Sequence, residues 1–146
     1  MSDLVADVVS ALPYYSSEAQ RSEIAKYTPE DLRAAVAEDP DAVLVAKSDD
    51  GGVVGFCISN TDDGLIWLAW FGVHRDWRAK GVGRALLGAL QQTVRSRGAH
   101  KIWCDCRTSN LASTALLTAV GFTIVCTLTN HWYGHDFHLL EKPITQ

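Results

Sequence analysis

The sequence has no basic excess: 13 Lys and Arg stand against 17 Asp and Glu, for a formal charge of −4 over 146 residues. A generic binder of nucleic acid or membrane surfaces needs the opposite balance, and that class is excluded. No apolar run approaches the ~20 residues of a membrane span. The start, Met1-Ser2-Asp3-Leu4, lacks a positive n-region, and Asp3 and Asp7 interrupt what a signal peptide requires, so a cytoplasmic location is expected. Low-complexity tracts, internal repeats and Gly/Ser linkers are missing as well. What remains is 47% hydrophobic and 21% charged, an ordinary globular composition. One domain of this length buries about 68–70% of its unfolded surface without disulfides or metals.

Cysteine is scarce too. Cys57, Cys104, Cys106 and Cys126 sit in apolar, strand-like stretches and read as reduced core residues. A zinc site needs four ligands at suitable spacing; His131, His135 and His138 cluster but fit no such pattern. No metal is expected.

The first forty residues read helical. Leu4, Val5, Val8, Val9 and Leu12 form a helical stripe ended by Pro13. Ser17-Glu18-Ala19-Gln20 has capping-box spacing, and Thr28-Pro29-Glu30-Asp31 opens a third helix that stops before Pro40. The period then changes. Ala42–Ala46, Val53–Ser59 and Leu65–Val73 read as strands joined by Asp49-Asp50-Gly51-Gly52 and Asp62-Asp63-Gly64, which have hairpin-turn chemistry. A helix over Gly81–Arg97 follows, then a strand over Lys101–Cys106, a helix over Asn110–Val120, a strand over Phe122–Leu128 and a last strand within His135–Glu141. This order predicts an α/β (α+β) fold with a mixed, mostly antiparallel central sheet and helices on both faces.

The chemistry concentrates between Trp70 and Leu87. A strand ends near Val73, and Gly81-Val82-Gly83 stands where a helix begins. Such glycines let the backbone approach a ligand while N–H groups and the helix dipole favour an anion. Arg75, Arg78, Lys80 and Arg84, offset by Asp76, form a basic island suited to a polyphosphate. A dinucleotide fingerprint would need a small residue where Leu86 stands, and a P-loop would need Gly-Lys-Ser/Thr. The alternative is a glycine turn at a solvated basic helix start.

Arg78-Ala79-Lys80-Gly81-Val82-Gly83 resembles the Arg/Gln-x-x-Gly-x-Gly/Ala signature of the GNAT superfamily of acyl-coenzyme A-dependent N-acyltransferases. Asp105-Cys106-Arg107-Thr108-Ser109-Asn110, followed by Ala112, Leu116 and Gly121-Phe122, is similar to a second motif of its ribosomal-protein alanine acetyltransferase branch. The resemblance covers Val43 to Lys142. It departs in two places: the N-terminus reads helical where the family usually begins with a strand, and Leu117 stands where the family often has a tyrosine that protonates the leaving thiolate.

The resemblance implies one domain over residues 1–146. Within it, 1–40 is the helical substrate side, 42–128 the coenzyme-binding core and 129–146 the C-terminal strand region. It implies acetyl transfer from acetyl-CoA, the acyl-donor cosubstrate, to a primary amine of a small molecule, amino acid or peptide. Coenzyme contacts then fall on Phe71, Val73, Arg78, Ala79, Lys80, Gly81, Val82, Gly83, Arg84 and Asn110. A side chain added at Gly83 is expected to meet the ligand more than the protein. Gly72 reads either as a bulge that splays its strand into a pantetheine slot or as room for a packed aromatic.

Strand alternation sets Asp105 beside Trp103 and Arg107, opposite Ile102, Cys104 and Cys106. Asp105 therefore reads as the base that accepts the amine's proton, or as a partner of Arg107. Tyr133 reads as a substitute acid or as a core or interface tyrosine; a thiolate with pKa near ~8.5 also leaves unaided. Asn110 reads as a helix N-cap, a pantetheine ligand, or both. Tyr14, Tyr15 and the stretch Thr129–Asp136 are expected to set acceptor specificity. The alternative function is a non-catalytic acyl-CoA sensor or scaffold, favoured by Leu117; a third reading changes the acyl group to propionyl or succinyl. No nucleic-acid or membrane partner is expected, and the oligomeric state is open between monomer and homodimer.

Overall fold

The computed structural model describes residues 1–12 and 15–145; Pro13 and Tyr14 lie outside the described residues. Three helices lead: α1 (Ser2–Ser10), α2 (Ser17–Ala25) and α3 (Pro29–Glu38). The strands β1 (Val43–Lys47), β2 (Val53–Asp62) and β3 (Leu65–Val73) form the meander. They are followed by α4 (Val82–Thr93), β4 (Lys101–Arg107), α5 (Leu111–Ala119), β5 (Thr123–Leu128) and β6 (Phe137–Pro143). Short 3-10 turns cover Arg75–Trp77 and Trp132–Gly134.

Local chemistry accounts for these elements. The Leu4, Val5, Val8 and Val9 stripe of α1 is buried. Thr28 and Asp31 close a reciprocal capping box with Pro29 at the first helical position of α3. The cap of α2 is Ser16, one residue before the expected Ser17, accepting from the Ala19 N–H at 3.2 Å. Asp63 and Gly64, with φ of 46° and 82°, make the two-residue hairpin whose twist requires two positive φ values.

The six strands run in the order β1-β2-β3-β4-β6-β5, and among the described residues only β3 and β4 are parallel neighbours. One face carries α4 and α5 over a core that includes Leu86, Leu87, Leu90, Leu117, Ile102 and Leu140. The other carries α1 and α3 over Phe56 and Ile58 of β2. This is the mixed, mostly antiparallel sheet expected from the sequence, and it starts with helices and no N-terminal strand.

Two expectations change. The bulge lies at Ala69, not Gly72: Ile58 pairs with Trp70 and Ser59 with Leu68, leaving Ala69 extra, whereas Gly72 pairs regularly with Phe56. A Cβ at Gly72 would meet Phe56 Cε1 at 2.8 Å and Val8 Cγ1 at 2.9 Å, so the glycine lets α1 and Phe56 close on the sheet. Among the cysteines, Cys57, Cys104 and Cys106 are buried but Cys126 is exposed, because β5 lies at the sheet's edge with both faces open.

Candidate active site

The parallel ladder between β3 and β4 is short. It joins Leu65 to Lys101, Ile66 to Ile102 and Trp67 to Trp103, and then stops. Beyond it the bulge at Ala69 turns β3 aside, as an extra residue in one strand bends that strand. The strands diverge around a cavity of about 210 Å³. Phe71, Asp105, Asn110, Leu117 and Tyr133 line it, so the divergence brings four of the sequence-predicted site residues together. Val73 and the Arg78–Arg84 loop do not line it; they lie past the end of β3.

Alternation on β4 gives the two faces expected. Ile102, Cys104 and Cys106 are buried in the core, and Trp103 and Asp105 are half-buried on the opposite face. Arg107, on the side of Asp105, is also buried, with its guanidinium 5.0 Å from the Tyr15 ring and 5.9 Å from that of Phe137. Burial pushes the Cys57 thiol up to about 12 and also raises those of Cys104 and Cys106, which opposes a thiolate nucleophile at any of them.

Asp105 accepts a hydrogen bond from Trp132 Nε1 at 3.0 Å. Burial raises its carboxyl above the usual carboxylate range. The Trp132 bond and the charge of His131 oppose that rise, and the charge of Glu23 adds to it. A half-buried carboxylate held above its ordinary proton affinity in a cavity wall has the properties of a general base.

Glu23 is the residue that sequence reasoning missed. It is buried, and its carboxylate accepts from Trp70 Nε1 at 3.0 Å, from Tyr133 Oη at 3.2 Å and from Lys26 Nζ at 2.7 Å. It therefore ties α2, β3 and the Trp132–Gly134 turn into one wall of the cavity. Tyr133 itself has φ of 54°, a sparsely populated conformation for a non-glycine residue. A faint signal existed: Glu23 follows Ala19 by four, which sets an acid on the one helical face that α2 buries.

Asn110 caps α5, its side-chain oxygen accepting from the Ser113 N–H at 3.2 Å. His74 caps the turn after β3, accepting from the Asp76 N–H at 3.3 Å. Past that turn, Ala79 and Gly81 both have positive φ (58° and 83°), and no side chain caps α4. Left-handed residues this close curl backbone N–H groups into a concavity suited to anions. Arg78, Lys80 and Arg84 are exposed around it; Arg78 Nε donates to the Val73 carbonyl at 3.2 Å, and Lys80 Nζ lies 5.3 Å over the Trp77 ring.

Gly83 is not open as expected. A Cβ there would come within 2.8 Å of Leu116 Cδ2, so the glycine faces α5. Gly83→Val is expected to overpack this contact and cost about 1–3 kcal/mol, with a drop in melting temperature of several degrees in a thermal scan. Gly83→Ala costs less, since only the end of the Leu116 side chain must move. A melting temperature unmoved by Val would overturn the packing role.

The sequence model of the acetyltransferase (GNAT) family matches residues 9–122. An aminoglycoside N(6')-acetyltransferase type 1 from Klebsiella aerogenes is 33% identical over 124 residues, 77% of this chain and 76% of its own. The ribosomal protein bS18-alanine N-acetyltransferase of Escherichia coli is 30% identical over 86 residues, 59% of this chain and 58% of its own. Among solved structures, a ribosomal-protein-alanine N-acetyltransferase from Brucella melitensis superposes with a TM-score of 0.78 at 23% identity, covering 98% of this chain and 91% of that one. A structure from Salmonella typhimurium, described with acetyl-CoA as its cofactor, gives 0.74 at 20% identity over 99% and 87% of the two chains. The structural likenesses speak to the fold, and the sequence matches to descent. The chain belongs to the GNAT family of acetyltransferases.

Proposed function

We propose that this chain transfers an acetyl group from acetyl-CoA to a primary amine of a small molecule, an amino acid or a peptide, in the cavity between β3 and β4. The observation that carries the reading is the early end of the β3–β4 ladder, with Asp105 in the wall of the opening it leaves. The cosubstrate fits the residues present. The backbone of Ala79, Gly81, Val82 and Gly83 at the start of α4, with the charges of Arg78, Lys80 and Arg84, receives the phosphates. Backbone N–H groups at Phe71 and Val73, on a strand edge without a ladder partner, bond the pantetheine and polarise the thioester carbonyl. Asn110 uses its oxygen as a cap, and its amide NH₂ is the donor for a pantetheine carbonyl.

The acceptor arrives as an ammonium ion among Asp105, Glu23 and the rings of Trp70, Trp132 and Tyr133. Asp105 takes the proton as the nitrogen attacks; the new C–N bond forms and the C–S bond breaks with its electron pair on sulfur. Tyr133 donates a proton to that sulfur only by exchanging its bond to Glu23. Leu117, buried in the cavity wall, has no proton to give. That same residue favours the second reading, a module that binds acyl-CoA without turnover.

Release of free thiol from acetyl-CoA, measured across a panel of amino sugars, polyamines, free amino acids and an alanine-terminated peptide, separates the two. Turnover with at least one amine is the expected result. Coenzyme binding without thiol release on every amine would establish the sensor, and no binding at low salt would remove both.

A further inference from the structure

Between Arg107 and Asp136 the chain carries no Asp, Glu, Lys or Arg, although both signs are frequent elsewhere in the sequence. This uncharged stretch builds α5 and β5, and much of it faces outward. Leu111 is 75% exposed, Ile124 44% and Val125 49%, and every residue of β5 up to Thr127 is exposed. β5 is also an edge, paired with β6 alone among the described residues. Val125 falls at a bulge, between Ile124 opposite Leu140 and Cys126 opposite Leu139.

The two edges of the sheet differ. β1 ends on Lys47, and α3 and α4 pack against it. Edges are ordinarily protected by such charges, by proline or by a covering element, because their open backbone groups template pairing with another chain. β5 has neither charge nor proline, and both its faces are open.

From this we infer that β5 is a homodimer interface, in which β5 pairs antiparallel with β5 of a second copy about a two-fold axis and joins the two sheets into one. A second copy fits better than an unrelated chain for two reasons. A two-fold axis sets a surface against itself, so every charged side chain near the axis would face its own like charge; an uncharged patch is the composition that incurs no such repulsion. The same axis brings one edge strand antiparallel to its copy, the pairing this sheet uses everywhere except between β3 and β4. Leu111, exposed at the start of α5, adds apolar area toward the about 1,200 Å² that a stable interface buries.

Sedimentation velocity over chain concentrations from about 1 to about 100 μM, the range where modest interfaces dissociate, tests this. The mass should rise from 16.0 kDa toward twice that value. Val125→Lys and Ile124→Lys, at exposed positions of a type where edge strands commonly carry lysine, should hold the chain at one-copy mass. Val45→Lys on the opposite edge should dimerise like the parent. A single-copy mass throughout, or dimers that survive both β5 variants, would overturn the proposal. Should a variant misfold, Cys126 supplies an internal probe in the unaltered chain, since Cys57, Cys104 and Cys106 are buried. Maleimide labelling at Cys126, read by mass spectrometry, should slow severalfold as chain concentration rises; a rate independent of concentration also refutes the interface.

Discussion

Asp105→Asn should lower kcat by roughly 10²–10⁴ while leaving coenzyme affinity and the fold intact. The substitution is nearly isosteric, and its amide oxygen can still accept from Trp132 Nε1, so the cavity wall keeps its shape. Only the proton acceptor goes. The pH profile carries the second half of the test. An amine is attacked only after losing its proton, so activity appears as pH rises through the Asp105 pKa. Burial, the leading cause of its shift, puts that acid limb above the ~3.9 of an ordinary aspartate.

Stability moves the other way. A carboxyl whose folded pKa is raised contributes stability below its unfolded pKa and loses that contribution as pH rises through the folded value. At neutral pH the ionised Asp105 therefore opposes folding, and Asp105→Asn should melt no lower than the parent. Stopped catalysis in a protein at least as stable separates a base from a structural aspartate. An unchanged kcat would assign Asp105 to structure.

Lys80→Ala combined with Arg84→Ala should weaken coenzyme A binding by about a hundredfold or more. Two charge-assisted hydrogen bonds to phosphate at ~1.5–3 kcal/mol each are lost, with exposure favouring the lower end. Both side chains are exposed, and neither bears on the core. Lys80 gives up a cation–π contact with Trp77, an exposed contact worth about 0.5–1 kcal/mol. Melting should shift by a few degrees at most. Calorimetry at two salt concentrations adds a second readout, because the variant should lose part of the salt dependence as well as the affinity. This pair isolates the phosphate loop better than Gly83, where a side chain strikes Leu116 before any ligand. Affinity and salt dependence both unchanged would remove the loop from the coenzyme site.

Features governed by neighbours in sequence were legible. The Thr28 capping box, the Asp63-Gly64 hairpin and the Val82–Thr93 helix follow from propensity, period and the φ that each turn demands. Alternation along β4 was enough to set Asp105 opposite Cys104 and Cys106, since successive side chains of a strand point to opposite faces. The basic loop and its left-handed glycine at 81 were equally local, and with the motif after Asp105 they identified the family.

What only the tertiary structure decided are contacts between residues far apart in the chain. Gly72 and Ala69 lie three residues apart on one strand. Which of them carries the bulge depends on the register with β2, and that register is set by packing across the whole pair. Gly83 turns toward α5 because two helices meet there, a closeness that no local pattern encodes. Glu23 bonds Trp70 and Tyr133 across 47 and 110 residues of sequence. Helical period could set this acid on an inner face but could not say what faces it. Cys126 has the same apolar company in sequence as Cys104, yet one strand lies at the sheet's edge and the other in its interior. Composition and period determined which residues are able to form a coenzyme loop and a base. The order of strands in the sheet decided which of them meet in one cavity, because that order is fixed by burying the two faces together and not by either strand alone.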